Sequence, residues 1–297
     1  MPSQFSTLTL SCIGAGRLGK TLCYLFSKHL QIGQVINRNQ VSAQLAVDFI
    51  GSGQASTGYS DLKPADLWLI ATPDNSIQQT SEALKNSGVL RNGDIVFHCS
   101  GSLGADSLAL DNCPTASVHP IHSFANPQNS LTHFAGTACG IEGQPEAVEV
   151  LKPLFADIGA APFAIASEHK SLYHAATVMT CNYLVSLMAL GEQMLAASGV
   201  DSEAGKHSPL EPLIRQTLDN YLNTDAVSAL TGPIARGDSA TIEAHLQALQ
   251  GQPELWQKVY CTLGNATIEL SAQQGQASAD SLATISTLLN LDNQSYE

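Results

Sequence analysis

Two groups of residues carry the chemistry of this chain, and they lie far apart in the sequence. The first is a glycine turn, Gly14-Ala15-Gly16-Arg17-Leu18-Gly19, between an apolar run at 8–13 and a helix-compatible segment at 20–30. Strand, tight glycine turn and helix form the context in which G-x-G-x-x-G binds the pyrophosphate of a dinucleotide. Gly14 permits the turn, Gly16 lets the backbone approach phosphate without a Cβ, and Gly19 lets the helix lie close to its strand. The helix N-terminus adds free N–H groups and a partial positive charge. The second group is Lys170, His174 and Asn182, within an apolar stretch of helical character. Lys170 and His174 are spaced to share a helix face. On a regular helix Asn182 falls about 80° round from His174 and roughly 12 Å further along. A His and an Asn inside an apolar helix need partners or a task. His174 suits a general acid that protonates a carbonyl oxygen as hydride reaches the carbon. Asn182 or Lys170 suits orienting the substrate or the nicotinamide ribose. The bland alternatives are a satisfied core histidine, a satisfied core asparagine and a solvated lysine.

The elements that must position these groups read as an α/β fold. A short strand at 34–36 ends in Asn37-Arg38-Asn39, where the adenosine ribose of a bound dinucleotide is met. An acidic residue there would repel a 2′-phosphate, whereas Arg38 can pair with one through two charged hydrogen bonds. The reading is therefore NADP in preference to NAD. Further strands are predicted at 66–71, 95–99, 115–118, 137–141 and 162–166, and helices at 42–50, up to about 86, at 104–110 and at 145–158. Asp74, Asn75 or Ser76 can cap the helix that follows Pro73. This alternation predicts a doubly wound, mostly parallel sheet. Ligands in such sheets lie beyond the carboxyl ends of the strands. The strand ends carrying Ala71, Thr72 and Pro73, then Ser100 and Gly101, then Ser117 to His122, are expected along the same cleft as the glycine turn.

From about residue 167 the pattern becomes wholly helical. One long helix is predicted at 168–198, stopped by Gly199, with others at 210–222, 239–249, 254–274 and 278–291. The expected organisation is a Rossmann NAD(P)-binding domain over 1–166 and a helical substrate and dimerisation domain over 167–297. The stretch 171–191 has no Asp, Glu, Lys or Arg, but its His, Thr, Asn and Ser residues favour a buried helix over a membrane span. It is apolar on too many sides for one domain to cover, which points to a homodimer.

Two further clusters stand out. In Ser117-Val118-His119-Pro120-Ile121-His122 the histidines lack a third ligand at metal spacing, so no metal is expected and Ser117 and His119 are read as substrate contacts. In Thr231-Gly232-Pro233-Ile234-Ala235-Arg236-Gly237-Asp238, Arg236 can clamp a carboxylate and Asp238 can cap the next helix. A capped turn and a purely structural turn are the alternatives.

Composition narrows the partners. The chain of 297 residues carries a formal charge of −13, which argues against nucleic acid or an anionic membrane as the main partner. A local site of backbone dipoles and an arginine still suits an anionic cofactor. Seven cysteines, an odd number with no C-x-x-C pair, indicate a reducing cytoplasm rather than a disulfide framework. The N-terminus has no basic region before its first strand, so no secretory signal is expected.

The chain resembles two-domain proteins with an N-terminal Rossmann-like NADP-binding domain followed by a helical domain of unknown function, DUF2520. The motifs are the glycine turn, Ala71-Thr72-Pro73-Asp74, His98-Cys99-Ser100-Gly101, Ser117 to Pro120, Leu172-Tyr173-His174-Ala175-Ala176 with Asn182-Tyr183, and Thr231 to Asp238. More distantly it is similar to ketopantoate reductases, pyrroline-5-carboxylate reductases and β-hydroxyacid dehydrogenases. Those relatives place a catalytic Lys on the first long helix of the second domain. By that resemblance His174 stands at the Lys position and Asn182 matches a later Asn, while Val178 replaces the Asn four past the Lys. The resemblance implies an NADP-dependent reductase of a small 2-oxo acid, such as ketopantoate, or of a cyclic imine acid, with a helical domain that also dimerises. The missing Lys leaves a non-catalytic NADP-binding sensor or scaffold as the alternative.

Overall fold

A strand that is apolar at every position has to be covered on both faces. Residues 67–70, Leu-Trp-Leu-Ile, form such a strand, and all four are buried. Leu67 and Leu69 enter one apolar layer with Leu22, Phe26, Leu151 and Phe155. Trp68 and Ile70 enter the other, with Ile77, Leu84 and Leu108. The computed structural model describes residues 4–200 and 208–291. The chain divides into two compact units, Met1–Tyr183 and Leu184–Glu297.

The first unit is an α/β sandwich. Its order is β1 (Thr9–Ile13), α1 (Arg17–Phe26), β2 (Gln31–Ile36), α2 (Gln40–Ile50), β3 (Gln54–Ser56), β4 (Leu67–Ile70), α3 (Ile77–Asn86), β5 (Ile95–His98), β6 (Thr115–Pro120), α4 (Pro127–His133), β7 (Ala138–Gly143), α5 (Pro145–Asp157) and β8 (Ala161–Ala164). The sheet order is β3-β2-β1-β4-β5-β6-β7-β8. Neighbours are parallel except β6 and β7, which are antiparallel. The chain winds outward from β1 in one direction to β3 and in the other from β4 onward. The carboxyl ends of β1 and β4 therefore flank the switch point, where doubly wound sheets bind their ligands.

Several expected elements take a different form. β2 begins at Gln31, three residues earlier than the apolar pattern suggests. Gly33 hides it from the pattern, yet a Cβ there would lie 2.7 Å from Ser11 Oγ on β1. The segment at 104–110 forms only a 3₁₀ turn, Ala105–Leu108. No side chain caps α3, because Asp74 is occupied elsewhere, as described below. The single helix expected at 168–198 is a 3₁₀ turn (Ser167–His169), then α6 (Lys170–Thr177), a π turn (Val178–Asn182) and α7 (Tyr183–Ala197). The π turn holds an extra residue, so the regular spacing computed from His174 to Asn182 does not apply. Nor is this stretch a buried helix in the single chain. Leu172, Met179, Tyr183 and Val185 are 58–74% exposed, and no residue of α7 is buried. Apolar composition shows that a face needs cover, not that the same chain provides it.

The second unit is helical: the rest of α7, then α8 (Glu211–Asn223), α9 (Ala226–Ala229), α10 (Pro233–Arg236), α11 (Ser239–Leu249), α12 (Glu254–Gln274) and α13 (Ala279–Leu291). Its core joins Ile234 of α10 to Ile242, Leu246, Cys261, Leu282, Ile285 and Leu289. The Thr231–Asp238 turn thus contains one helical turn, too short to leave a periodic signal. Asp238 caps α11 as expected, accepting from the Thr241 backbone N–H at 3.0 Å. Among the described residues no helix is long and apolar enough to cross a membrane.

Candidate active site

The glycine turn leaves β1 at the switch point. Gly14 has φ of +88°, and a Cβ there would lie 2.8 Å from the Thr72 backbone nitrogen. Both the left-handed backbone and the close approach to the end of β4 require glycine. A Cβ at Gly19 would meet the Gly14 carbonyl oxygen at 2.9 Å and the Ala71 Cβ at 3.0 Å, so α1 can lie this close to the sheet only without one. Gly16 is different, because its nearest atom is 3.9 Å away and its surroundings are open. Open backbone at Gly16, with no side-chain cap on α1, leaves the first N–H groups of the helix without a capping acceptor. These are the three roles a pyrophosphate-binding turn needs.

In front of the turn lies a cleft of about 1020 Å³. Gly14, Ala15, Gly16, Arg17, Leu18, Asn37, Arg38, Ala71, Thr72, Pro73 and Ser100 all line it. Asn37 and Arg38 stand at the end of β2, with Tyr59 and Leu45 on the same wall. The cleft's size, its open glycine backbone and its exposed arginine fit a dinucleotide lying across the strand ends. Gly19 and Gly101 fall outside the lining, and both are packing glycines.

At the β4–β5 end of the cleft the polar groups are tightly linked. Ser100 Oγ donates to Asp74 at 2.7 Å, and Ser102 Oγ donates to the same carboxylate oxygen at 3.1 Å. Ser100 Oγ also accepts from the backbone N–H of Leu103 at 3.0 Å. His98 is fully buried beneath this loop. Its Nδ1 accepts from the Ser100 N–H at 3.1 Å, which places the ring proton on Nε2, 3.0 Å from the Gly104 carbonyl oxygen. Burial pushes its pKa down to about 4, so it is a neutral strut. One residue past Ser100, Gly101 is the contact point for two more imidazoles. A Cβ there would overlap His174 Nδ1 and lie 2.9 Å from His119 Cε1. The two rings are edge to face with centroids 5.6 Å apart.

Behind this group lies a buried ion pair. Lys170 Nζ donates to Glu142 Oε1 at 2.9 Å and to Ser117 Oγ, and all three residues are buried. Glu142 Oε1 also accepts from the Ala105 N–H at 2.9 Å, and Oε2 accepts from Ser167 Oγ at 2.8 Å. Ser117 Oγ in turn donates to the Ser100 carbonyl oxygen at 3.2 Å. The network ties α6 to β6, β7 and the β5 loop. Burial lowers the Lys170 pKa, and the Glu142 carboxylate opposes that shift.

Comparison with known proteins agrees with this architecture. Residues 3–120 match the Rossmann-like domain, and residues 137–267 match the domain of unknown function DUF2520. The sequence has no significant match among curated proteins. Among solved structures, protein TM1727 from Thermotoga maritima is similar over 89% of this chain and 98% of its own, with 25% identity and a TM-score of 0.69. BF3122 from Bacteroides fragilis, a proposed NADP oxidoreductase, covers the same shares at 22% identity and a TM-score of 0.72. A pyrroline-5-carboxylate reductase from Coxiella burnetii covers 97% of this chain and 98% of its own, at 13% identity and a TM-score of 0.56.

The site is therefore shared between the two matched regions. Gly101, Ser117 and His119 belong to the Rossmann-like match, while Glu142, Lys170, Tyr173 and His174 belong to the DUF2520 match. His174 and His119 meet at Gly101, one residue past Ser100 of the cleft lining, and neither ring is part of that lining. Ser117 and Lys170 lie behind it, buried together and outside the cleft lining. Asn182 is exposed on the π turn, and Arg236 is exposed on α10 of the second unit. His119 and His122 diverge: His119 turns to Tyr173, and His122 packs on Phe124 and Phe134. Sequence reasoning overlooked Glu142, Asp74 as a loop latch, and Tyr173. Glu142 had a visible signal, being the lone charged residue in a buried strand. Asp74 and Tyr173 had none, because their partners lie 26 and 54 residues away.

Proposed function

We propose that this protein is an NADP-dependent reductase of a small carbonyl or cyclic imine acid. The observation that carries the reading is that His174 packs on Gly101, one residue past Ser100 of the cleft that the Gly14–Leu18 turn also lines. BF3122 and the Coxiella enzyme, by their names, support the same class of chemistry. The backbone N–H groups of Arg17 and Leu18 would hold the pyrophosphate, Arg38 the 2′-phosphate, and Thr72, Pro73 and Ser100 the nicotinamide end. When bound, the cofactor supplies hydride. The residues of the chain supply the rest: His174 gives a proton to the oxygen or nitrogen that gains charge, and His119 donates a hydrogen bond to the substrate. Lys170 is committed to Glu142, so its proposed role is to seat α6, with Ser117 as part of the same seat. Asn182 is proposed as an outer contact of this site, and Arg236 as a carboxylate clamp of the second unit.

Mixing the protein with a panel of 2-oxo acids and cyclic imine acids should give oxidation of NADPH faster than of NADH. Arg38→Ala should weaken NADPH by about tenfold while leaving NADH nearly unchanged. Tight NADPH binding with silence across the panel would favour a sensor instead. The exposed apolar residues of α6 to α8 support a homodimer. Light scattering at micromolar concentration should give twice the 31.3 kDa chain mass, and a monomer would refute it.

A further inference from the structure

Tyr173 is the neighbour of His174 on α6, but its hydroxyl addresses the other histidine. Its Oη lies 2.8 Å from His119 Nδ1, and the two rings cross at 87° with centroids 5.6 Å apart. Two glycines make room for this pairing. Gly140 stands opposite His119 in the β6–β7 register, and a Cβ there would come within 2.9 Å of the Tyr173 hydroxyl oxygen. Gly101 leaves the gap that His119 and His174 share.

The direction of the hydrogen bond follows from the chemistry of the pair. A phenol O–H is a stronger donor than a neutral imidazole N–H, and a bare imidazole nitrogen is a stronger acceptor than a phenol oxygen, so the 2.8 Å bond runs from the Tyr173 hydroxyl to His119 Nδ1. Burial pushes the Tyr173 pKa up to about 12, so that proton stays in place at ordinary pH. An Nδ1 that accepts a hydrogen bond puts the proton of the neutral ring on Nε2. Among the described residues, no hydrogen bond is made to His119 Nε2. The charged and titratable groups facing the ring are His174 and Lys170 from α6 and Asp74 from the loop after β4. Burial, then His174 and Lys170, push the His119 pKa down to about 4, against an upward pull from Asp74.

We propose that Tyr173 is a positioning residue that locks His119 in its Nε2–H tautomer, making His119 a fixed hydrogen-bond donor to a substrate oxygen while His174 handles the proton. The identity of that oxygen rests on the reductase reading; the tautomer does not. Two neighbouring imidazoles thereby take different tasks, His119 as a fixed donor and His174 as the proposed acid.

Long-range nitrogen–proton NMR of the full-length protein with isotope-labelled histidine tests this directly. His119 should show a protonated Nε2 and a bare Nδ1, unchanged from about pH 8 to pH 5. Tyr173→Phe should mix the tautomers and raise the pH at which the ring titrates, because the bond that favours the neutral form is lost. A proton on Nδ1 in the unmodified protein, which needs no variant to observe, would overturn the proposal. So would an unchanged tautomer in Tyr173→Phe. Oxamate serves as the probe for the donor role. Added with NADPH, it should perturb the Nε2 signal, and its dissociation constant should rise about tenfold in Tyr173→Phe. No perturbation at millimolar oxamate would overturn the donor role. Oxamate binding of this kind without NADPH oxidation on any substrate would leave this inference standing and remove the reductase reading.

Discussion

Replacing His174 with alanine is expected to lower turnover by about 10²- to 10⁴-fold while NADPH still binds. The expectation follows from where the ring sits. Gly101, the residue it touches, is adjacent to Ser100, which lines the cleft, yet His174 is outside the lining that would hold the cofactor. Removing it should therefore spare the pyrophosphate and ribose contacts. The reacting atom would lose its proton donor, since the other nearby groups are unsuited to replace it. His119 is held neutral, His98 is sealed beneath the loop, and Lys170 is paired with Glu142. Fluorescence titration of NADPH and single-turnover kinetics on the same sample check the two halves. Full activity in the variant would end the acid assignment. A parallel loss of NADPH affinity would instead make His174 a packing residue of the Gly101 loop.

The second large effect concerns stability. Lys170→Met should cost about 3–5 kcal/mol, because it leaves the Glu142 carboxylate buried without its counter-charge. Lys170 is 1% exposed and Glu142 is 6% exposed, so water cannot readily take over. A fall in Tm on the order of 10 °C by calorimetry is the expected readout. The double variant Lys170→Met, Glu142→Gln should recover much of the loss, because no bare charge remains. The Gln amide oxygen would still accept from the Ala105 N–H, and its NH2 would donate to Ser167 Oγ, which can accept as well as donate. A single variant as stable as the unmodified chain would show that Glu142 is hydrated or protonated at this position. The same substitution should loosen the seat of α6 and so reduce turnover without altering the Gly14–Gly19 turn.

The two expectations differ in how much of their basis could be read before the structure. His174 announces itself as a polar residue in an apolar helix. Lys170 reads as an ordinary helix-start lysine, and only the structure shows it buried. Its partner Glu142 lies 28 residues away on the one strand that reverses direction against its neighbour. A regular helix sets Asn182 about 80° round from His174, and the π turn at Val178–Asn182 breaks that regularity.

By itself the amino-acid sequence determined the dinucleotide turn, the alternation of strand and helix, and the wholly helical second half. These depend on requirements that neighbouring residues meet together: a glycine where φ is positive, an apolar run where a strand is covered on both faces, an Asp before a helix. Tertiary structure alone decided which polar groups meet. The sheet order and the reversed β7 bring Glu142 beneath Lys170. Gly140 stands opposite His119, so Tyr173 can reach across the strand pair to choose that histidine's tautomer. Such pairings depend on register and layer packing between segments far apart in the chain, which short-range pattern does not encode.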